Sequence, residues 1–281
     1  MKSLGVLHLF FKESYMSNAT LYAKTTLLYL ALLALISGCV KDYDVLTPPP
    51  DSEKVKIVMK VPAELEPKTL LAKYESTRCR MFVDLPTVSR MQFPGSNLQD
   101  SKFTRQGENN IYEAEVFVDG GGECEWQLDS IEFGVVYRIP NRFAKKVTAY
   151  YGGAVIVKFD GQHAPFNTVD QFIEGPDLII VKDYYPWVRE AYELGYYDKS
   201  VNLAKEYESY RTYRARDARN IFFEPVLHSD LVVTSTSPKK RFADEIVTTT
   251  FRYPDGTEES NRELEPDFKK MQKIRLKPEA K

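Results

Sequence analysis

The chain lacks any apolar stretch long enough to cross a membrane, although one short apolar run lies near its start. A bilayer-spanning helix needs roughly 20 consecutive apolar residues, whereas residues 27–36 form a run of ten. Ten residues suit the hydrophobic region of an export signal, and Lys24 supplies the positive charge that precedes such a region. The sequence therefore predicts an exported protein, with a buried helix of a cytosolic protein as the alternative.

An excess of basic charge is also missing. The 281 residues contain 38 Lys and Arg against 40 Asp and Glu, which gives a formal charge of −2. Residues 1–38 hold three lysines and one glutamate, so the rest of the chain carries 35 basic and 39 acidic residues and a charge of −4. Nucleic-acid binding needs clustered Lys and Arg to neutralise phosphates, so no nucleic-acid partner is expected.

Histidine is scarce, and familiar catalytic motifs are missing. Three histidines occur, with neither a G-x-S-x-G nucleophile elbow nor an H-E-x-x-H zinc helix. The segment HSD, which begins at His228, has the residue types of a catalytic triad, but successive residues of a strand point to opposite faces. The sequence thus predicts a protein without catalytic residues, cofactor or metal. An enzyme that lacks a familiar motif is the alternative.

The apolar run ends at a cysteine preceded by small residues. The sequence ISGC, which ends at Cys39, resembles the lipobox of bacterial lipoproteins, where the thiol is lipidated and the chain is cut before it. The resemblance implies a signal peptide of residues 1–38, with a start at Met1 or Met16. Val40 is not the aspartate of the inner-membrane retention signal, which implies an outer-membrane anchor that faces the periplasm. A plain secretory signal with a chance cysteine is the alternative.

Lipidation of Cys39 would leave two cysteines, Cys79 and Cys124. An even remainder in an oxidising compartment predicts a disulfide between them. A bond that closes a loop of about 46 residues stabilises a fold by roughly 4 kcal/mol in the loop-closure model. Two buried thiols are the alternative. A metal site is not expected, because neither cysteine has a C-x-x-C partner or a histidine nearby.

The chain after the anchor predicts sheets. Tyrosine occurs 18 times and aromatic residues make up 13%, which favours sheet-rich structure. Alternation of apolar residues predicts strands at 55–61, 111–118, 124–137, 146–159 and 177–182. Turns are expected at the DGGGE segment, residues 119–123, and at residues 254–256, each within a hairpin.

Other segments predict helices, a loop and a tether. We expect short helices at residues 67–74 and near the C-terminus, and a long loop across residues 84–110. Residues 39–54, with three consecutive prolines, predict an extended tether, followed by a single β-rich domain at residues 55–281. The predicted fold class is mainly β (α+β): an antiparallel sheet or sandwich with a few short helices.

A segment rich in aromatic residues and arginine is the candidate recognition site. Residues 183–219 hold eight tyrosines and five arginines, and these residue types are enriched at protein–protein hot spots. Parts of it suggest a helix across 203–219, with a strand across 208–214 as the alternative. Within it, we expect Pro186 to stiffen a loop that presents Tyr184, Tyr185 and Trp187 to a partner. The alternative is that these rings fill the core.

Five further segments carry a second resemblance. They are VKDYDVLTPPPDSEKV, VDGGGECEW, KDYYPW, FFEPVLHSD and FRYPDGTEE, which span most of the chain after Cys39. Together they resemble enterobacterial lipoproteins found beside type VI secretion effectors of the phospholipase kind. The resemblance implies an immunity protein, in which a lipid-anchored, non-catalytic domain binds its cognate phospholipase and neutralises it in the periplasm. A structural or glycan-binding envelope lipoprotein is the alternative.

Overall fold

The computed structural model describes residues 45–85, 88–150, 153–159, 171–193, 196–206, 212–238 and 248–277. All of them belong to one compact unit. The predicted signal peptide, residues 1–38, and the predicted lipidation site, Cys39, lie outside the described residues and stay predictions.

Strands dominate the described residues, which confirms a mainly β fold. In chain order they are β1 (Lys54–Lys60), β2 (Leu65–Pro67), β3 (Leu70–Leu85), β4 (Val88–Ser101), β5 (Thr104–Gln106), β6 (Ile111–Phe117), β7 (Asp119–Gly121), β8 (Trp126–Phe133), β9 (Val135–Tyr137), β10 (Thr148–Ala149), β11 (Val155–Lys158), β12 (Gln171–Phe172), β13 (Asp177–Glu193), β14 (Tyr196–Ala204), β15 (Thr212–Arg214), β16 (Asn220–Leu227), β17 (Val233–Thr236), β18 (Thr249–Arg252) and β19 (Glu258–Asn261). A 3-10 turn (Pro140–Arg142) and a C-terminal helix, α1 (Phe268–Leu276), accompany them. In the described ranges, no helix has the length and apolar character needed to span a bilayer.

The strands form two large sheets and a small one. The first sheet has the order β19-β18-β17-β13-β16-β1-β6-β5, with β14 also beside β13 and β10 beside β14. The second has the order β12-β15-β11-β8-β3-β4, with β7 beside β8, and β2 and β9 form the third. Both large sheets are mixed, because β16 pairs in parallel with β1 and β13, and β15 pairs in parallel with β11 and β12. The expectation of antiparallel pairing throughout is therefore wrong.

The main core takes apolar residues from both large sheets. On β1, Val55, Ile57 and Met59 are fully buried, as the period-two pattern predicted. Phe133 of β8 and Phe223 of β16 meet edge to face, with ring centroids 5.7 Å apart. This aromatic contact joins the second sheet to the first.

A smaller second core lies under α1. Its members are Tyr185, Trp187, Ala204, Val233, Phe251, Tyr253 and Met271. Strand β13 supplies residues to both cores, because successive side chains of a strand point to opposite faces. Tyr184 and Val188 enter the main core, while Tyr185 and Trp187 enter the second.

Two predicted elements have a different structure. The helix expected at residues 67–74 is strand, since Leu70, Ala72 and Tyr74 are buried at a spacing of two residues. The loop expected across residues 84–110 is wrong for most of its described length, which forms β4 and β5. Polar composition misled the prediction, because much of the β3–β4 hairpin is exposed on both faces.

The two strands predicted on either side of DGGGE are present, but they do not pair with each other. β6 pairs with β1 and β5 in the first sheet, whereas β8 pairs with β3 and β11 in the second. The short β7 pairs with β8 across the turn. Beside this turn, a disulfide joins Cys79 of β3 to Cys124, which confirms the predicted pairing.

The Pro-rich segment packs against the domain earlier than predicted. The Thr47 N–H donates to Gly120 O at 2.8 Å, and the Ser52 hydroxyl donates to Asp119 O at 2.9 Å. Gly121, at φ +58°, passes so close that a Cβ there would overlap Thr47 O. A tether that extends to residue 54 is therefore wrong, because the chain already lies against β7 at Thr47.

Strand β16 continues through Pro225. Its pairing with β1 extends from Asn220 to Phe223, so Pro225 lies beyond the last β1 partner. On its other side Pro225 is paired with Lys182 of β13, and the missing N–H of proline is tolerated where one side of the strand has no partner. The hairpin at residues 254–256 is confirmed by β18 and β19, and the C-terminal helix by α1. In the described part of residues 203–219, no helix forms: β14 ends at Ala204 and β15 covers Thr212–Arg214.

Candidate interaction surface

The three residues singled out for partner binding lie inside the protein. Tyr184, Tyr185 and Trp187 belong to strand β13 and not to a loop, and all three are buried. The indole Nε1–H of Trp187 donates to Ser235 Oγ at 2.8 Å. The expectation of an exposed loop is wrong, because β13 runs on through Pro186 with β14 on one side. Their predicted role in binding stays a prediction.

The exposed part of the tyrosine-rich segment lies further along the same hairpin. Tyr192 at the end of β13 is paired with Tyr197 of β14, and their ring centroids are 5.2 Å apart. Tyr196 is 79% exposed and Tyr197 is 51% exposed. Tyrosine presents a large contact area at a small cost in conformational entropy. The sequence carried a signal for this position, since Gly195 lies between Tyr192 and Tyr196, and glycine favours a turn between two strands.

Balanced charges flank these tyrosines. Lys199 Nζ lies 2.5 Å from Glu190 Oε1, and Arg189 lies 4.0 Å from Asp198. Partial burial and a hydrogen bond to the Glu190 carboxylate raise the pKa of Tyr197, so its phenol stays neutral at physiological pH. The hairpin end is therefore an aromatic surface with no net charge among its four ionic neighbours.

A second cluster of polar side chains lies where α1 meets β13. His228 Nε2 is 2.7 Å from Asp183 Oδ1, and the Gln272 amide donates to Asp183 Oδ2 at 2.8 Å. The His228 ring stacks on Tyr185 at 4.9 Å. Burial alone would raise the pKa of Asp183, but these hydrogen bonds and the nearby Arg275 outweigh it and lower the pKa. The cluster holds the helix to the sheet.

The same cluster borders a depression of about 540 Å³ between β13 and α1. The described lining residues include four lysines, namely Lys182, Lys205, Lys269 and Lys273. Burial lowers the pKa of Lys205. A His–Asp pair that served nucleophilic catalysis would need a hydroxyl or thiol beside it, and no Ser, Thr or Cys is among the described lining residues. Within the described ranges, no three His, Cys, Asp or Glu side chains form a possible metal site.

Fold and surface together define a mainly β protein with a disulfide and an exposed aromatic hairpin end. Comparison with known proteins finds no matching family model, no matching curated protein and no matching solved structure.

Proposed function

We propose that the chain is an outer-membrane lipoprotein, anchored at Cys39 and facing the periplasm, that binds and neutralises a type VI secretion phospholipase. The binding role is non-catalytic and needs a stable scaffold with a complementary surface. The lipobox and the five segments noted above support the anchor and the immunity role by resemblance. Two large sheets around a shared core, arranged as a sandwich, would supply the scaffold.

The observation that carries the binding role is the exposed tyrosine pair at the β13–β14 hairpin end. Tyr196 and Tyr197 are large, exposed and held on a paired strand. Anchors of this type dominate interface energies, and truncation of one hot-spot residue typically costs about 2 kcal/mol or more. Such a loss corresponds to an approximately 30-fold weaker Kd.

The test uses the full chain and the phospholipase encoded by the adjacent gene. We expect one-to-one binding that reduces lipase activity to background, and a loss of about 30-fold in affinity for Tyr196→Ala combined with Tyr197→Ala. Leu264→Ala is the matched control, because Leu264 is 84% exposed and lies outside the hairpin. Absence of lipase binding by the wild-type chain would contradict the proposal.

A glycan-binding envelope lipoprotein is the second candidate. Exposed tyrosine rings can stack on sugars, and the same hairpin end would provide the platform. This alternative predicts that the chain sediments with purified cell wall and does not inhibit the lipase. The two functions are therefore separated by one pair of assays on the same variants.

A further inference from the structure

The β3–β4 hairpin extends beyond the sheet that carries it. β3 pairs with β8 as far as Glu75, and among the described strands β4 alone accompanies it beyond Ser76. A bulge between Ser76 and Arg80 marks where the hairpin leaves the sheet. The six strand residues from Arg80 to Leu85 span about 20 Å at the usual rise per residue.

One face of this projection is apolar. Met81 is paired with Phe93, and Val83 is paired with Met91. Cross-strand partners point to the same side of a sheet, so the four side chains form one surface. Each is 40–47% exposed. A contiguous apolar surface of this kind marks a site of interaction.

The base of the hairpin is fixed to the turn where the N-terminal segment packs. The Cys79–Cys124 disulfide joins the hairpin to that turn. Two residues before Cys124, a Cβ at Gly122 would lie 3.0 Å from Val45 O. Val45 is therefore beside the hairpin base.

The predicted lipid anchor lies within reach of the same place. Five residues lie between Cys39 and Val45, and the six residue steps of an extended chain span at most about 20 Å. Cys39 can therefore lie as far from the hairpin base as the hairpin end does. The hairpin end can reach a bilayer in which Cys39 is anchored.

The charge of the hairpin suits an anionic bilayer. Residues 77–95 contain three arginines, Arg78, Arg80 and Arg90, and one acidic residue, Asp84, in a chain whose total charge is −2. Arg78 is paired with Glu125, so Arg80 and Arg90 supply the remaining positive charge. The Arg90 guanidinium lies 4.3 Å from the centroid of the Phe82 ring, on the face opposite the apolar one. Basic residues near a membrane surface are attracted by anionic headgroups, and arginine can extend its polar end toward them from an apolar stem.

We propose that the apolar face of the β3–β4 hairpin, formed by Met81, Val83, Met91 and Phe93, contacts the bilayer that holds Cys39. The inference rests on the lipid anchor in the proposed function. A hairpin contact beside the anchor provides a second attachment of the domain to the bilayer. It fixes the domain's orientation on the membrane.

The test places a tryptophan in the apolar face. Full-length lipidated protein is reconstituted in phosphatidylglycerol and phosphatidylcholine vesicles that contain doxyl-labelled acyl chains. Phe93→Trp is compared with Tyr196→Trp as the matched control, because Tyr196 is an exposed aromatic residue on a different hairpin. The native Trp126 and Trp187 are 2% and 7% exposed and give a constant background.

We expect lipid-borne quencher to lower Phe93→Trp emission about twofold and to leave Tyr196→Trp unchanged. Met91→Trp repeats the measurement if Phe93→Trp does not fold. Unquenched emission from a chain whose Cys39 acylation is verified by mass spectrometry overturns the hairpin contact and leaves lipase inhibition unaffected. An unacylated Cys39 overturns both the contact and the proposed anchor. Formation of a dimer without quenching assigns the face to a second copy and also overturns the proposal.

Discussion

Trp187 was predicted from the sequence to be exposed, and the structure places it in the interior. Its position after Pro186 suggested a presented loop, yet the ring is buried and its N–H is bonded to Ser235. Alternation explains the difference, because on either side of Pro186 strand β13 buries Tyr185 and Trp187 in the second core and Tyr184 and Val188 in the main core. A strand that is buried on both faces appears in the sequence as a continuous apolar and aromatic run. The sequence alone does not distinguish such a strand from an exposed aromatic loop that binds a partner.

Burial of Trp187 has a direct optical consequence. Trp126 and Trp187 are the two tryptophans of the chain, and both are buried. We expect acrylamide to quench the native emission weakly and urea-unfolded protein strongly. In a Trp187→Phe variant, the remaining emission comes from Trp126 and should be quenched as weakly as in the wild type. If acrylamide quenched a large part of the wild-type emission, and that part were missing in the variant, the burial of Trp187 would be contradicted.

Asp183 makes the attachment of α1 sensitive to acid. Its pKa is lowered from 3.8, so its contribution to stability is complete above that value and disappears as the pH falls through the lowered one. We expect Asp183→Asn to cost about 1–2 kcal/mol at pH 7 by weakening charged hydrogen bonds. Hydrogen exchange in α1 should rise in this variant, and the exposed Asp230→Asn variant is the control. Equal protection of α1 from hydrogen exchange in both variants would contradict the role of Asp183 in holding the helix to the sheet.

At the scale of elements, the disulfide ties two parts of the second sheet at the hairpin base. Loop closure by this bond contributes roughly 2–4 kcal/mol. We expect the Cys79→Ser, Cys124→Ser double variant to lose that amount in urea unfolding. Reduction of the wild-type protein should have the same effect, while the double variant should not respond to reductant. If the urea midpoint of the wild-type protein did not change on full reduction, the disulfide would not have the stabilising role expected here.

The elements also show which parts of the fold were accessible from sequence. Period-two patterns located β1, β6, β8, β11 and the start of β13, because each of these strands has one buried face. Strand pairing was not accessible, since β6 and β8 follow each other in sequence but join different sheets. The exposed Tyr196 and Tyr197 belonged to the predicted segment, whereas β4, on the β3–β4 hairpin, was mistaken for a loop.

At the scale of the whole molecule, β13 couples the two cores. Met271 of α1 is fully buried in the second core, while Ile180 of β13 lies in the main one. Because one strand belongs to both, we expect a single cooperative unfolding transition. Met271→Ala should lower its free energy of unfolding by about 2–4 kcal/mol and keep one transition by calorimetry and by near-UV circular dichroism. Two separate transitions in the variant would show that the cores unfold independently.

The pairing of β1 with β16 has a consequence for the order in which the protein forms. Contacts between these strands span 164 residues, as in the Lys60–Glu224 ion pair. Loop-closure entropy makes such distant pairings slow. As the chain folds, β1 can join β6 early, but its other edge stays open until residues 220–223 pair with it. The folding chain therefore passes through a stage with an exposed strand edge, at which it is prone to aggregation.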